Sequence, residues 1–202
     1  MGMTCTLRRL PEGELERLLA LSPDDASAFL RAQDEEASAA AGLEVRRVQP
    51  RNVVLRVLLR LLPVTVEEVV PRPGAPAPDD APSARATELD LEGVWEELHF
   101  LLTGTAWEGD EPACYLVRGG RELGDGEDED VRVLLPADVR RFSEHLAALS
   151  RDALALRHDP PRMAALRIRT VPVAHVLDAF DELRTYVGDA ATAGDGLLVR
   201  LG

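Results

Sequence analysis

Apolar positions along the chain follow a helical period more often than an alternating one, and the clearest periodicity lies in the second half. Leu91, Val94, Trp95, Leu98, Leu101 and Leu102 recur at helical spacing, with Glu92, Glu96 and Glu97 on the other side. Asp90 stands where a cap is needed and Gly104 where a stop is needed, so the spacing predicts an amphipathic helix followed by a loop over Thr105 to Glu111. Val139, Phe142, Leu146 and Leu149 predict a second helix opened by Pro136. Ser150 caps a short third one, and Val176, Leu177, Phe180, Leu183 and Val187 predict a long one from Val173 to about Ala193. Near the N-terminus, Leu15, Leu18 and Leu19 mark one helix, and Ser22-Pro23 opens another with Phe29 and Leu30 turned inward. Asn52 to Leu62 reads as a largely buried helix whose narrow polar stripe is Asn52, Arg56 and Arg60.

Strands are predicted where alternation or a short apolar run is bounded by turn residues: 3–10, 113–117, 131–135 and 197–201. Gly119-Gly120 and Gly194-Asp195-Gly196 are the turns that bound them. The expected class is α/β, with α+β as the alternative: a mixed sheet of about four strands covered by six or seven helices. A length of 202 residues suits a single domain over 1–202. Prolines crowd the stretch PRPGAPAPDDAP and forbid helix and ladder alike, so an exposed, flexible insertion is expected at about 71–87.

Charge narrows the function classes. There are 36 acidic side chains against 23 basic ones, a net charge of -13, which repels phosphate backbones and anionic lipid surfaces. Neither nucleic acid nor membrane is an expected partner; a basic protein is. The basic residues are all arginine, which excludes a lysine Schiff base and a Walker-type lysine. The start MGMTCTLRRL has no apolar core of a signal peptide, and the expected location is cytoplasmic. Cys5 and Cys114 are expected as free buried thiols.

Aromatic residues concentrate around the helix at 91–103. His99 lies one turn after Trp95 and three residues after Glu96, beside Thr103, Gly104 and Thr105, so an imidazole, a carboxylate and an indole can share one rim. Trp107, Glu108 and Asp110 extend that rim, and the pocket candidate comprises Trp95, Glu96, His99, Thr103, Thr105, Trp107, Glu108 and Asp110. The plainer alternatives are a half-buried histidine bonded to backbone and a tryptophan lidding the core. Thr103, Thr105 and Ser143 sit in no frame that activates a hydroxyl. His145, His158 and His175 lack zinc-ligand spacing and read as solvated helix positions. GDGEDED fails the calcium-loop pattern and reads as a solvated turn, so no catalytic residue, metal or cofactor is assigned.

Four stretches carry a family resemblance: the MGM start, LDLEGVWEELHFLLTGTAW at 89–107, LSRDALALRHDPPRMAALRI at 149–168 and FDELRTYVGDAATAGDGLLV at 180–199. In them the chain resembles the YfbM-like bacterial family, domain of unknown function 1877. The resemblance implies a small cytosolic α/β protein with helices over a mixed sheet, and it brings no activity, cofactor or catalytic residues with it. The proline-rich insertion and the region before it depart from the family pattern.

The expected function is a non-catalytic protein-binding module, an immunity or antitoxin protein being one form, whose negative charge steers it onto a basic partner. The rival expectation is a small-molecule-binding protein or enzyme in which Glu96 and His99 form an acid/base pair in a tryptophan-lined pocket.

Overall fold

Alternation in the first residues does produce a strand: β1 (Cys5–Leu10) turns Cys5, Leu7 and Leu10 into the interior. The computed structural model describes residues 3–22, 25–26, 28–33, 43–47, 67–71, 88–123 and 130–202. The chain divides into two compact units, Met1–Ser27 with Ala84–Gly202, and Ala28–Ser83. In the smaller unit residues 28–33 are helical, and β2 (Leu43–Arg47) pairs antiparallel with β3 (Glu67–Pro71), Val45 opposite Val69. The helix expected over Asn52 to Leu62, positions 72–87 of the proline-rich insertion and residues 124–129 of GDGEDED lie outside the described residues.

The larger unit is built on a five-stranded sheet in the order β4 (Glu88–Asp90), β1, β7 (Gly196–Leu201), β6 (Asp130–Leu134), β5 (Arg121–Glu122). Its described pairings are all antiparallel, so the fold is α+β and the expected mixed sheet is corrected. The first and last strands lie side by side, Cys5 opposite Leu201 and Leu10 opposite Gly196, and among the described residues no strand of this sheet runs parallel to its neighbour. The run 113–117 is not a strand. It coils into tight turns in which the Arg118 N–H reaches Cys114 O at 2.8 Å, although Cys114, Tyr115, Leu116 and Val117 are buried as expected. Burial of a short apolar run is common to strands and buried turns, and periodicity does not separate the two. The edge strands β4 and β5 are three and two residues long, too short to leave a pattern.

Helices α1 (Glu12–Ala20), α2 (Trp95–Thr103), α3 (Pro136–Ala148), α4 (Arg151–Ala155) and α6 (Val173–Ala193) follow the expected periodicities, and α5 (Pro160–Ala165) forms where no periodicity predicts a helix. The chain enters α2 through a 3-10 turn, Glu92–Val94, with the Glu92 N–H on Asp90 Oδ1 at 2.7 Å. It leaves through Gly104 in the left-handed region, φ 78. Ser150 and Asp159 cap α4 and α5 through their side chains. On α6, Val176, Leu177, Phe180, Leu183, Val187 and Ala190 are buried and pack in one cluster with Leu197, Val199 and Leu201 of β7. Leu198 and its cross-strand partner Val133 are buried as well, so the central strands are covered on both faces. No helix among the described residues is long and apolar enough to cross a membrane.

Helix α2 is buried nearly all round, which decides the fate of its acidic residues. Leu98, His99, Phe100, Leu101 and Leu102 are all buried in succession, and Glu97, expected on the solvent side, is 0% exposed. Its Oε2 accepts the Val171 N–H at 2.8 Å and its Oε1 lies 2.8 Å from His158 Nε2. His158 is therefore no solvated helix residue. Close by, the Arg169 N–H reaches Glu96 Oε2 at 3.2 Å, the Arg157 guanidinium donates to Leu101 O at 2.9 Å, and Arg162 donates to Gly104 O at 2.8 Å. Carbonyls that the end of a helix leaves unpaired thus find arginine donors.

His158→Ala leaves the Glu97 carboxylate buried with one backbone donor, and a loss of roughly 3–5 kcal/mol is expected in urea unfolding. Adding Glu97→Leu to that variant is expected to recover a good part of the loss, because no charge is then left in the interior. Additive losses in the double variant would show that the pair is not coupled.

Candidate functional site

The loop after α2 is folded by its own hydroxyls. Thr103 Oγ1 donates to His99 O at 2.8 Å and accepts the Thr105 N–H at 3.2 Å, and Thr105 Oγ1 accepts the Glu108 N–H at 3.1 Å and donates to Glu108 O. Gly109, at φ 144, then passes so near Thr103 that a Cβ would stand 2.7 Å from its Cγ2. Both threonines are engaged in building the turn, and the turn aims Trp107 outward, 44% exposed. Trp107 sets its ring against buried Trp95 in an edge-on contact, centroids 5.5 Å apart, and Trp95 Nε1 donates to Met3 O at 3.0 Å. The exposed indole therefore stands on a fixed base.

The expected rim comes together only in part. Glu108 and Asp110 are exposed beside Trp107, and Glu96 and Trp107 line one shallow depression with Ala106, Leu166, Arg167 and Ile168, about 260 Å³ in volume. His99 is elsewhere: it is 0% exposed, and its expected position on a solvent-facing rim is corrected. Nε2 lies 3.1 Å from Glu108 O, a carbonyl that can only accept, so Nε2 carries the proton and Nδ1 is bare. Nδ1 is buried without a partner among the described residues. No hydrogen bond or ion pair joins His99 to Glu96 among the described residues, and the acid/base pair is not assembled. Burial, helped by the nearby Arg132 cation, pushes the His99 pKa down to about 4.

On the other side of Trp107 is a larger cleft of about 600 Å³, bounded by Met3, Val117, Arg118, Gly119, Glu122, Asp130, Arg132 and Leu201. Arg132, on β6, is only 2% exposed. Its Nε donates to Asp130 Oδ1 at 3.0 Å and its Nη2 to Leu116 O at 3.1 Å, while Nη1 is buried without an acceptor among the described residues. Cys5 Sγ approaches the same Leu116 carbonyl at 3.8 Å, and burial pushes its thiol up to about 12. Cys5 and Cys114 are both free and buried. Sequence reasoning did not single out Arg132, because an arginine between Val131 and Val133 is the ordinary alternation of a strand with one wet face, whereas β6 is covered on both faces. Among the described residues, no group of three or more His, Cys, Asp or Glu could hold a metal ion.

The shifted imidazole gives a pH dependence with a definite sign. Unfolded His99 takes its proton near its ordinary 6.5, whereas in the folded protein it stays neutral until pH falls to about 4. The unfolded state binds more protons in that window, so the contribution is whole above pH 6.5 and is lost as pH falls towards 4, roughly 3 kcal/mol in all. His99→Gln keeps an N–H donor for Glu108 O and is expected to remove that component from urea melts compared at pH 7 and pH 4. An unchanged pH dependence in the variant would show that His99 is not the group responsible.

Among curated proteins no match is found. Of solved structures, the chain is similar to "The Crystal Structure of a Protein of Unknown Function YfbM from Escherichia coli", at a TM-score of 0.55 and 14% identity over 98% of this chain and 99% of that one. At that identity the likeness speaks for the fold alone. The family described as Domain of unknown function (DUF1877) matches residues 1–200, and the chain belongs to it.

Proposed function

We propose that this protein is a non-catalytic binding module that docks a basic protein partner around Trp107. The observation that carries the reading is an indole 44% exposed yet braced edge-on at 5.5 Å by a buried one. A rigid exposed tryptophan loses little side-chain entropy on contact and is the residue type that most often dominates binding energy. Leu166, 41% exposed, adds apolar surface at the depression beside it. Glu108 and Asp110 stand exposed next to the indole in a chain of net charge -13, and such a rim speeds encounter with a cationic partner. An immunity or antitoxin role is the form of partner binding that best uses this charge. The sealed imidazole and the hydroxyls tied into their own turn favour binding over acid/base catalysis at this place.

Affinity capture from the native host is expected to recover one stoichiometric basic protein, released by raised salt. Trp107→Ala should weaken that complex by about 2 kcal/mol or more, a thirtyfold rise in Kd, with little change in melting temperature. Capture that is indifferent to Trp107→Ala, or that yields no stoichiometric partner, would remove the reading.

A further inference from the structure

We infer that the cleft on the Arg132 side of Trp107 is a binding site for a small aromatic carboxylate, independent of the protein-docking reading. A guanidinium carries five N–H donors in a flat fork, and burying it without full pairing is costly. Arg132 is 2% exposed and lines a cleft of about 600 Å³; its Nε and Nη2 edges are taken by Asp130 and the Leu116 carbonyl, and its buried Nη1 has no acceptor among the described residues. That volume lies in the range of small-molecule sites. Arg118, exposed on the same cleft, forms no ion pair with a described residue, so a second guanidinium is available at the mouth. Arginine is the side chain whose planar fork matches a carboxylate.

The remaining lining sets the rest of the ligand. Trp107 offers a ring face or edge, and Met3, Val117 and Leu201 add apolar surface, which together suit a flat hydrophobic body. Glu122 and Asp130 line the same cleft, so a doubly charged phosphate meets more repulsion there than a singly charged carboxylate does. The site thus calls for one negative charge on an aromatic frame.

The test titrates the full chain with benzoate, its neutral analogue benzamide and inorganic phosphate, following tryptophan emission and melting temperature. Benzoate is expected to bind saturably and raise the melting temperature, with benzamide weaker by about tenfold or more, the loss of charge-assisted hydrogen bonds. Arg118→Gln, on the surface, should weaken benzoate several-fold, and Arg132→Met should abolish its binding. Should Arg132→Met not fold, the benzamide comparison and Arg118→Gln still decide. Equal binding of benzoate and benzamide, phosphate binding as tightly as benzoate, an undisturbed Arg118→Gln, or no saturable binding at all would each overturn the assignment.

Discussion

One buried carboxylate determines where everything near the candidate site can be. Glu97 lies within a helix that has almost no solvent face, and a carboxyl buried there needs polar partners fixed around it. The groups that face it, the Val171 N–H bonded to Oε2 and the His158 imidazole 2.8 Å from Oε1, come from a segment more than sixty residues further along the chain. The same segment supplies Arg157 and Arg162 to the carbonyls at the end of α2. Two stretches that look unrelated in the sequence, the tryptophan-histidine helix and LSRDALALRHDPPRMAALRI, are thus the two halves of one clasp. Because α2 is held along its length, Trp95 at its first turn is a fixed wall against which Trp107 can lean.

Where a residue's environment is set by its near neighbours, the sequence was a sufficient guide. The span of α6, the cap at Ser150, the stop at Gly104 and the strands at both chain ends all follow from local spacing and from the backbone freedom of particular residues. Failures occurred where burial comes from distant elements. Glu97 reads as solvent-facing until α2 is seen to be covered on its polar side, and the uninterrupted run Leu98 to Leu102 was the hint that it would be. Arg132 fails for the same reason in a strand: alternation presumes one wet face, and β6 beside β7 does not have one. The apolar run 113–117 was read correctly as buried and wrongly as extended, since its tight turns are dictated by Asp110 and Cys114 carbonyls that local composition does not reveal.

The candidate site shows the same division. Trp107, Glu108 and Asp110 are exposed as expected, because a polar loop after a helix stop is bound to be at the surface. His99 was misplaced because helical spacing fixes the angle at which a side chain leaves the helix without saying how deep the helix lies. Once the helix is central, the imidazole has a different part to play: its N–H holds the Glu108 carbonyl, which also receives the Thr105 hydroxyl, so that the residue next to Trp107 is anchored from below and from within the loop. The histidine helps set the loop that presents the indole, and takes no part at the surface itself.

A strongly acidic chain with two arginines on one cleft poses an apparent conflict, which distance resolves. Charges on the outer surface act through water and are screened over about 8 Å at physiological salt, so the net -13 describes the outer field of the molecule and says little about a pocket floor. Arg132, at 2% exposure, is governed instead by what touches it: one carboxylate at 3.0 Å, one carbonyl at 3.1 Å, and no acceptor for Nη1 among the described residues. Burial lowers its pKa by disfavouring the cation, and Asp130 opposes that shift, so an additional acceptor here would stabilise the charged form that the fold has already enclosed. The two sides of Trp107 therefore differ in kind: an open rim with exposed Glu108 and Asp110, whose charge acts through water, and a cleft with an enclosed cation, whose charge acts at contact.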